Sequence, residues 1–245
     1  MYSNKNAVSV FEQMVKLGTY YSSGRPVVVD PEIIVNDICS KVPLTDASVI
    51  LDVGCGTGVV TIPLSRRVRH IDALDAGQKV LEQLMKDCKA LNIGNISFHH
   101  GTACDLHFAD GTFDGVIMYA VIHYLENESQ IEQCIRELVR VCRPGGYILV
   151  ADIPEIHARE EFEAREKTLD EMRILAEFEK NRVGYDNLFQ QNVTLDMGTH
   201  DLLIDGHFLI QTAQELGCEV QLCKQDLREP FSLTRRDLLI HRTSR

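Results

Sequence analysis

Residues 51–60 read LDVGCGTGVV, in which a short apolar run ends at Asp52 and glycines follow at positions 54, 56 and 58. Glycines between a strand and a helix let the backbone turn tightly and approach a ligand without Cβ clashes. Dinucleotide-binding loops have the spacing G-x-G-x-x-G, and their third glycine permits close packing of the helix on the strand. Here the third glycine comes one residue early, and Val59 and Val60 occupy the packing position. The loop predicts a ligand site but leaves open whether the ligand contains phosphate.

The segments around this loop alternate between predicted strands and helices. Asp30 is a suitable N-cap before Pro31, and apolar residues then recur every four positions, so residues 30–42 predict a helix. Such alternation predicts a parallel sheet covered by helices on both faces. The other predicted elements are strands at 48–54, 70–75, 95–100, 113–119 and 147–152, a helix at about 57–66, and amphipathic helices around residues 80–91 and 131–142.

The alternation breaks after Asp152. Residues 155–182 are rich in charge and predict a solvated helix with a modest buried stripe, or else a helix that binds a partner. The apolar positions of that stripe are Phe162, Leu169, Met172, Leu175 and Phe178. A helix near 207–217 and strands at 218–225 and 237–243 follow, and the short link between these strands predicts an antiparallel pair.

Composition restricts the classes of protein to consider. The 245 residues carry a formal net charge of -11, which disfavours a polyanionic partner in the absence of a basic stripe. The eight cysteines form no C-x-x-C pair and predict reduced, mostly buried thiols. The N-terminal residues do not resemble a signal peptide, and no stretch approaches the roughly 20 apolar residues that span a bilayer. We therefore expect a cytoplasmic chain that binds neither nucleic acid nor membrane.

A second motif follows the glycine loop. The predicted strand HIDALD ends at Asp75, 17 residues after Gly58. A carboxylate at this place can accept both hydroxyls of a ribose, which NAD and S-adenosylmethionine both contain. The alternative is that Asp75 caps the helix that begins near Gln78.

Four ordered motifs, LDVGCGTG, LDAG, GTACDLHFADGTFDGVIM and LVRVCRPGGYILVAD, together resemble the class I S-adenosylmethionine-dependent methyltransferases. The resemblance covers residues 48–152 and is strongest to the small-molecule branch that includes the ubiquinone-biosynthesis methyltransferases. It implies a Rossmann-like α/β fold whose seven-stranded, mostly parallel sheet has the order 3-2-1-4-5-7-6, with the last strand antiparallel. A single domain is expected, with an N-terminal helical arm (1–47), a cofactor-binding core (48–152), an inserted helical lid (153–206), and a C-terminal helix and strand pair (207–245).

The resemblance also implies where S-adenosylmethionine binds. Asp52 and the backbone of the loop would contact its methionine portion, Asp75 its ribose and Ala76 its adenine. Members of the family usually have Gly-Asp-Ala after the third strand, whereas this chain has Gly101-Thr102-Ala103. Thr102 offers only a neutral acceptor, and Asp105 is a possible replacement for the missing acid. The remaining residues implied to bind the cofactor are Gly54, Cys55, Gly56, Ala103, Met118, Tyr119, Tyr21 and Arg25, although Arg25 is equally compatible with an exposed loop.

Candidates for the chemistry lie near the carboxyl ends of the strands. His123 has the side chain of a general base, although a histidine packed on a helix is the alternative. Asp152 could orient the substrate or cap a turn. The three histidines in or near the insertion lack regular ligand spacing, so the sequence predicts no metal site. These histidines are His157, His200 and His207, and the candidate pocket aromatics are Tyr185, Phe189 and Phe208.

The predicted function is transfer of a methyl group to oxygen, nitrogen or carbon of a small-molecule acceptor by in-line displacement. An NAD-dependent oxidoreductase and a methyltransferase-fold binding protein without turnover are the alternatives, and the acidic charge disfavours an RNA methyltransferase. A monomer or a homodimer is expected.

Overall fold

The computed structural model describes residues 4–15, 30–176, 179, 202–229 and 231–244. Its strands are β1 (Val49–Val53), β2 (His70–Asp75), β3 (Ile96–His100), β4 (Phe113–Tyr119), β5 (Cys142–Pro154), β6 (Cys218–Cys223) and β7 (Arg235–Arg242). They form one sheet in the order β3-β2-β1-β4-β5-β7-β6. Strands β1 to β5 pair in parallel, whereas β7 is antiparallel to both β5 and β6. The predicted sheet order and the antiparallel last strand are confirmed.

The helices are α1 (Asn4–Met14), α2 (Pro31–Lys41), α3 (Thr61–Leu64), α4 (Gln78–Ala90), α5 (Glu128–Val141), α6 (Ile156–Ala164) and α7 (Gly206–Glu215). A 3-10 helix, Ile122–Tyr124, follows β4. Asp30 caps α2 as predicted, because its side chain accepts a hydrogen bond from the Glu32 N–H. None of the helices in the described part of the chain combines the length and the apolar character needed to cross a membrane.

Successive residues of the central strands pack in two separate hydrophobic cores, because neighbouring side chains of a strand point to opposite faces of the sheet. In β4, Met118 packs in the core that includes Ile135 of α5 and Leu209 of α7. The preceding residue, Ile117, packs in the core that includes Ile38 of α2 and Leu84 of α4. The helices therefore cover both faces of the sheet, as predicted.

The charged segment after β5 is not one continuous helix. α6 ends at Ala164, and the helix resumes at residues 169–176. A capping box starts the second helix. In it, the Glu171 N–H donates to Thr168 Oγ1 and the Thr168 N–H donates to Glu171 Oε2. This signal in the sequence TLDE was missed.

The predicted buried stripe of this segment is wrong at three of its five residues. Phe162 is buried, whereas Leu169, Met172 and Leu175 are exposed by 71%, 47% and 38%. Phe178 lies outside the residues whose side chains are described. Met85 of α4 and the C-cap residue Leu91 are likewise exposed, although the periodicity placed them on the buried face.

Gly58 performs the packing role that the sequence pattern assigned to a later position. Its φ is +95°, and a Cβ there would overlap Leu84 Cδ1 and lie 2.9 Å from Ile62 Cγ1. This left-handed turn delays the start of the following helix. The helix α3 spans only Thr61–Leu64, a single turn, instead of the predicted 57–66. The early third glycine therefore still serves close contact between the loop and α4.

Gly58→Ala should lower the free energy of unfolding by about 2–4 kcal/mol, because a left-handed alanine and an overpacked core each cost 1 kcal/mol or more. Gly94→Ala is the matched control, since a Cβ at Gly94 meets nothing within 4 Å and its φ is outside the left-handed region. Urea unfolding measures both variants. Equal midpoints for the two would contradict the packing role of Gly58.

Candidate functional site

A cleft opens at the carboxyl ends of β1, β2 and β4, where open α/β sheets bind ligands. It encloses about 1060 Å³ of space, part of it continuous with solvent. Its walls are the glycine loop, the ends of these strands, residues 101–103 and one face of α1. The predicted cofactor residues that line this cleft are Asp52, Gly54, Cys55, Gly56, Asp75, Ala76, Thr102, Ala103 and Tyr119.

The glycine loop is fastened to β2 and presents its backbone to this cleft. The N–H groups of Gly54 and Cys55 donate to Leu74 O at 2.7 and 3.0 Å. A Cβ at Gly54 would overlap Val121, which lines the same cleft. Gly56 has φ +55°, and a Cβ there would meet nothing within 4 Å. Space for a ligand therefore lies directly against the backbone at Gly56. Cys55 is buried, and burial raises the pKa of its thiol well above the ordinary value.

Asp75 ends β2 and joins two backbone segments. Its Oδ2 accepts from the Gly56 N–H at 2.9 Å, and its Oδ1 accepts from the Gly77 N–H at 2.7 Å. Burial raises the pKa of Asp75, and these two N–H groups oppose that rise. Asp75 is not the N-cap of α4, because Gly77 occupies that position and makes no side-chain cap. The Asp75 carboxylate also lines the cleft, with lone pairs that further donors can use.

Asp52, at the end of β1, is a second carboxylate on the wall of the cleft. Its side chain is 1% exposed, and its Oδ2 accepts from Thr61 Oγ1 at 2.6 Å. Burial raises the pKa of Asp52 to about 7, with a further contribution from the charge of Asp75, while the Thr61 hydrogen bond lowers it. None of the described lining residues is lysine, arginine or histidine. The cleft is therefore acidic and is suited to a cationic ligand.

The segment after β3 borders the cleft through Gly101, Thr102 and Ala103. The Asp105 N–H donates to Thr102 O at 3.3 Å, but the Asp105 side chain is 72% exposed and lies 3.2 Å from His107. Asp105 does not line the cleft, so the predicted replacement for the missing acid is wrong. Ala76 does line it, and its carbonyl oxygen lies 3.0 Å from His100 Nε2.

Two predicted residues, one in β4 and one in the 3-10 helix after it, do not line the cleft. Met118 is fully buried in the opposite core, where its Sδ lies 3.7 Å from Cys134 Sγ, because it faces away from Tyr119. His123 is also buried, and its ring lies 4.2 Å from that of Tyr124. Residues i and i+3 of a 3-10 helix share a face, so Val121 and Tyr124 line the cleft and His123 does not. The predicted placement of Met118 and His123 beside the ligand is corrected accordingly.

Tyr119 lines the cleft as predicted, and its hydroxyl lies 2.6 Å from Glu229 Oε2. Glu229 is 2% exposed and comes from the link between β6 and β7, which was not singled out in the sequence. Asp152 has φ +59° and is buried beside Gln225 and Arg235, away from the described cleft wall.

Helix α1 contributes a wall that the sequence did not predict. Ala7, Val8 and Phe11 line the cleft, and the Phe11 ring meets the Tyr124 ring edge-on at 5.3 Å. The Lys79 N–H also donates to Glu12 Oε1 at 3.3 Å. The sequence did contain a signal for this wall, because Val8 and Phe11 follow Ala7 by one and four positions and so share one face of a helix. The predicted residues Tyr21, Arg25, Tyr185, Phe189 and His200 lie outside the described residues, and Phe208 packs against the core.

The fold and the cleft define a Rossmann-like α/β protein with a ligand site at the carboxyl ends of its strands. Residues 50–146 match the methyltransferase domain family. The chain is 28% identical over 160 residues to the uncharacterized methyltransferase YcgJ of Bacillus subtilis (60% of this chain, 61% of YcgJ). It is 32% identical over 107 residues to the demethylmenaquinone methyltransferase of Listeria welshimeri (42% of this chain, 44% of that protein). The aligned part thus spans less than two thirds of these curated relatives.

The fold is shared with solved methyltransferase structures. Phosphoethanolamine N-methyltransferase 1 of Haemonchus contortus, in complex with phosphoethanolamine and S-adenosylhomocysteine, superimposes with a TM-score of 0.67 at 15% identity. The match covers 99% of this chain and 50% of that protein. Together the comparisons confirm the predicted resemblance to the class I S-adenosylmethionine-dependent methyltransferases.

Asp52→Asn should stabilise the folded protein at neutral and higher pH. The pKa of Asp52 is raised from 3.8 to about 7, so its ionised form destabilises the folded state as pH rises through that range. The gain above about pH 7 has an upper limit of roughly 4 kcal/mol, since one pKa unit corresponds to about 1.4 kcal/mol. Urea unfolding at about pH 5 and about pH 8 measures it.

Asp114→Asn is the control of opposite sign. Burial raises the pKa of Asp114, but the Val49 N–H and Arg143 outweigh burial, so the pKa is lowered. Its ionised form stabilises the folded state, and the variant should lose stability at about pH 8. A loss of stability in Asp52→Asn at that pH would contradict the raised pKa.

Proposed function

We propose that this protein is an S-adenosylmethionine-dependent methyltransferase that acts on a small molecule. The observation that carries the proposal is the charge of the cleft, in which Asp52 and Asp75 stand on the wall and no described lining side chain is basic. A pyrophosphate would bring negative charge against both carboxylates, which is unfavourable at short range. A sulfonium cofactor has no phosphate and carries positive charge near its reactive carbon.

The residues of the cleft fit such a cofactor. The open space at Gly56 admits a ligand close to the backbone, where a Cβ would otherwise stand. We assign the ribose hydroxyls to Asp75, which ends β2 and lines the cleft. Asp52 faces the same space, and a cationic group beside it would favour its ionised form. Ala76, Thr102 and Ala103 border the part of the cleft assigned to adenine.

When bound, the cofactor supplies a methyl group on a good leaving group, and the protein contributes position and exclusion of water. Phe11, Val121 and Tyr124 form an apolar wall suited to that task. The contact of Glu229 with the Tyr119 hydroxyl holds the Tyr119 ring in position. His123 precedes the lining residue Tyr124, but its buried ring does not line the cleft. A role as a base would therefore require proton transfer through a neighbouring group.

The acceptor is proposed only as a small molecule. The names of the related proteins contain chemically different acceptors, demethylmenaquinone and phosphoethanolamine, and a net charge of -11 disfavours nucleic acid. Transfer can be tested with methyl-labelled cofactor and an extract of small metabolites. Label should enter the small-molecule fraction with the wild-type protein and should not do so with heat-inactivated protein.

Asp75→Asn should weaken binding of S-adenosylhomocysteine at least tenfold, because a hydrogen bond to a charged group contributes about 1.5–3 kcal/mol. Titration calorimetry measures the affinity. Asp72→Asn is the control on the same strand, where the carboxylate pairs with His99 at 2.7 Å instead of lining the cleft.

Calorimetry with NAD⁺ tests the alternative cofactor in the same experiment. The proposal expects saturable binding of S-adenosylhomocysteine and none of NAD⁺. Unchanged affinity in Asp75→Asn would remove the ribose assignment, and tighter binding of NAD⁺ would overturn the cofactor class.

A further inference from the structure

Two histidines and an aspartate converge where α6 and α7 begin, outside the cleft. The ligand atoms of His157, Asp205 and His207 lie within 4.8 Å of one another. His157 Nε2 is 3.7 Å and His207 Nδ1 is 3.4 Å from Asp205 Oδ1. The two imidazole rings meet edge-on at 5.1 Å, and Glu160 Oε2 lies 3.3 Å from His157 Nδ1. Within the described residues, this is the one group of three potential metal ligands at such distances.

A buried carboxylate fixes the two helix starts that carry these side chains. Glu155 is 2% exposed, and its Oε2 accepts from the Ala158 N–H of α6 at 2.6 Å. Its Oε1 accepts from the Gly206 N–H of α7 at 3.2 Å. The backbone adds a second tie, since the Ile156 N–H donates to Ile204 O at 3.1 Å. The relative position of His157 and His207 is therefore set by the fold, while their exposed rings keep rotational freedom.

The donor set indicates which ions would fit. Imidazole nitrogen binds zinc and its neighbours in the first transition series, whereas magnesium and calcium prefer oxygen ligands. Ligand atoms about 2 Å from a tetrahedral ion are separated by roughly 3.3 Å, so small rotations of exposed side chains are sufficient to reach a common ion. Glu160 or water can complete the coordination.

The helix dipoles and the nearby carboxylates have opposite effects on a cation bound at these residues. A cation beside two helix N-termini is disfavoured by their dipoles, by about 0.3–1 kcal/mol each at exposed positions. The carboxylates of Asp205 and Glu160 lie next to the imidazoles and oppose that effect. Two imidazoles without a neighbouring carboxylate would lack this compensation.

We propose that His157, Asp205 and His207 form a binding site for one divalent transition-metal ion of the zinc type. The ion would link the first turn of α6 to the first turn of α7. These turns lie at the two ends of the segment between β5 and α7, so metal would stabilise the attachment of that segment to the sheet. The ion takes no part in methyl transfer in this proposal.

Titration calorimetry with Zn²⁺ and untagged, metal-free protein tests the site. The wild-type protein should bind one ion per chain in the presence of excess Mg²⁺. His157→Ala and His207→Ala should each weaken binding at least tenfold. His107→Ala is the matched control, because His107 is 83% exposed, as His207 is 80% exposed, and also pairs with an aspartate. Its affinity for zinc should equal that of the wild type.

Two further measurements distinguish this site from zinc binding at cysteine thiols or elsewhere on the chain. Co²⁺ substitution should give a spectrum without thiolate charge transfer, because no cysteine belongs to the site. Saturating Zn²⁺ should raise the melting temperature by about 5 °C in the wild type and leave the double histidine variant unchanged. Zinc affinity that is the same in wild type and both histidine variants, a thiolate band in the cobalt spectrum, or no stoichiometric binding would each overturn the proposal.

Discussion

The two hydrogen bonds that Asp75 accepts from Gly56 and Gly77 hold the candidate site together. One carboxylate at the end of β2 fixes the glycine loop on one side and the start of α4 on the other. The loop carries only two side chains between Gly54 and Gly58, the buried Cys55 and Thr57, so its backbone hydrogen bonds do much of the anchoring. The carboxylate that we assign to ligand recognition is thus also a structural support. A rigid support of this kind is what a binding site needs if it is to orient its ligand.

Asp75 supports the fold, whereas the ionised carboxylate of Asp52 destabilises it. Its burial costs folding free energy when it ionises, and only part of that cost is offset by Thr61. A cationic ligand would compensate the charge, whereas the ligand-free protein has no basic side chain on the described wall to do so. The protein therefore keeps an unfavourable charge in place for a partner that is not part of the chain, a common feature of functional sites.

Most of the sheet was predictable because its signals are local or belong to ordered motifs. The cap at Asp30, the apolar residues that recur every four positions and the glycine loop each specify their own element. The inclusion of Asp52, Asp75 and residues 101–103 in one cleft also follows from the meeting of parallel strands at one edge.

The remaining features depend on geometry that spacing does not reveal. The 3-10 helix after β4 buries the His123 ring and places Tyr124 on the cleft wall, whereas no regular element was predicted at these residues. The capping box at Thr168 was visible in the sequence but was overlooked because apolar spacing continued across it. Glu229 reaches Tyr119 across 110 positions of the chain, and a contact of that range has no local signal.

The backbone tie between Pro154, Ile156 and Ile204 brings the two ends of the intervening segment side by side at the sheet. A segment that leaves and returns at neighbouring points can change in length at little entropic cost, since loop closure grows only with the logarithm of length. Such a connection can vary in sequence and length without a change in the sheet to which it is attached. Evolution or protein engineering could therefore replace the residues between α6 and Ile204 while the sheet, the glycine loop and the acidic cleft keep their present form.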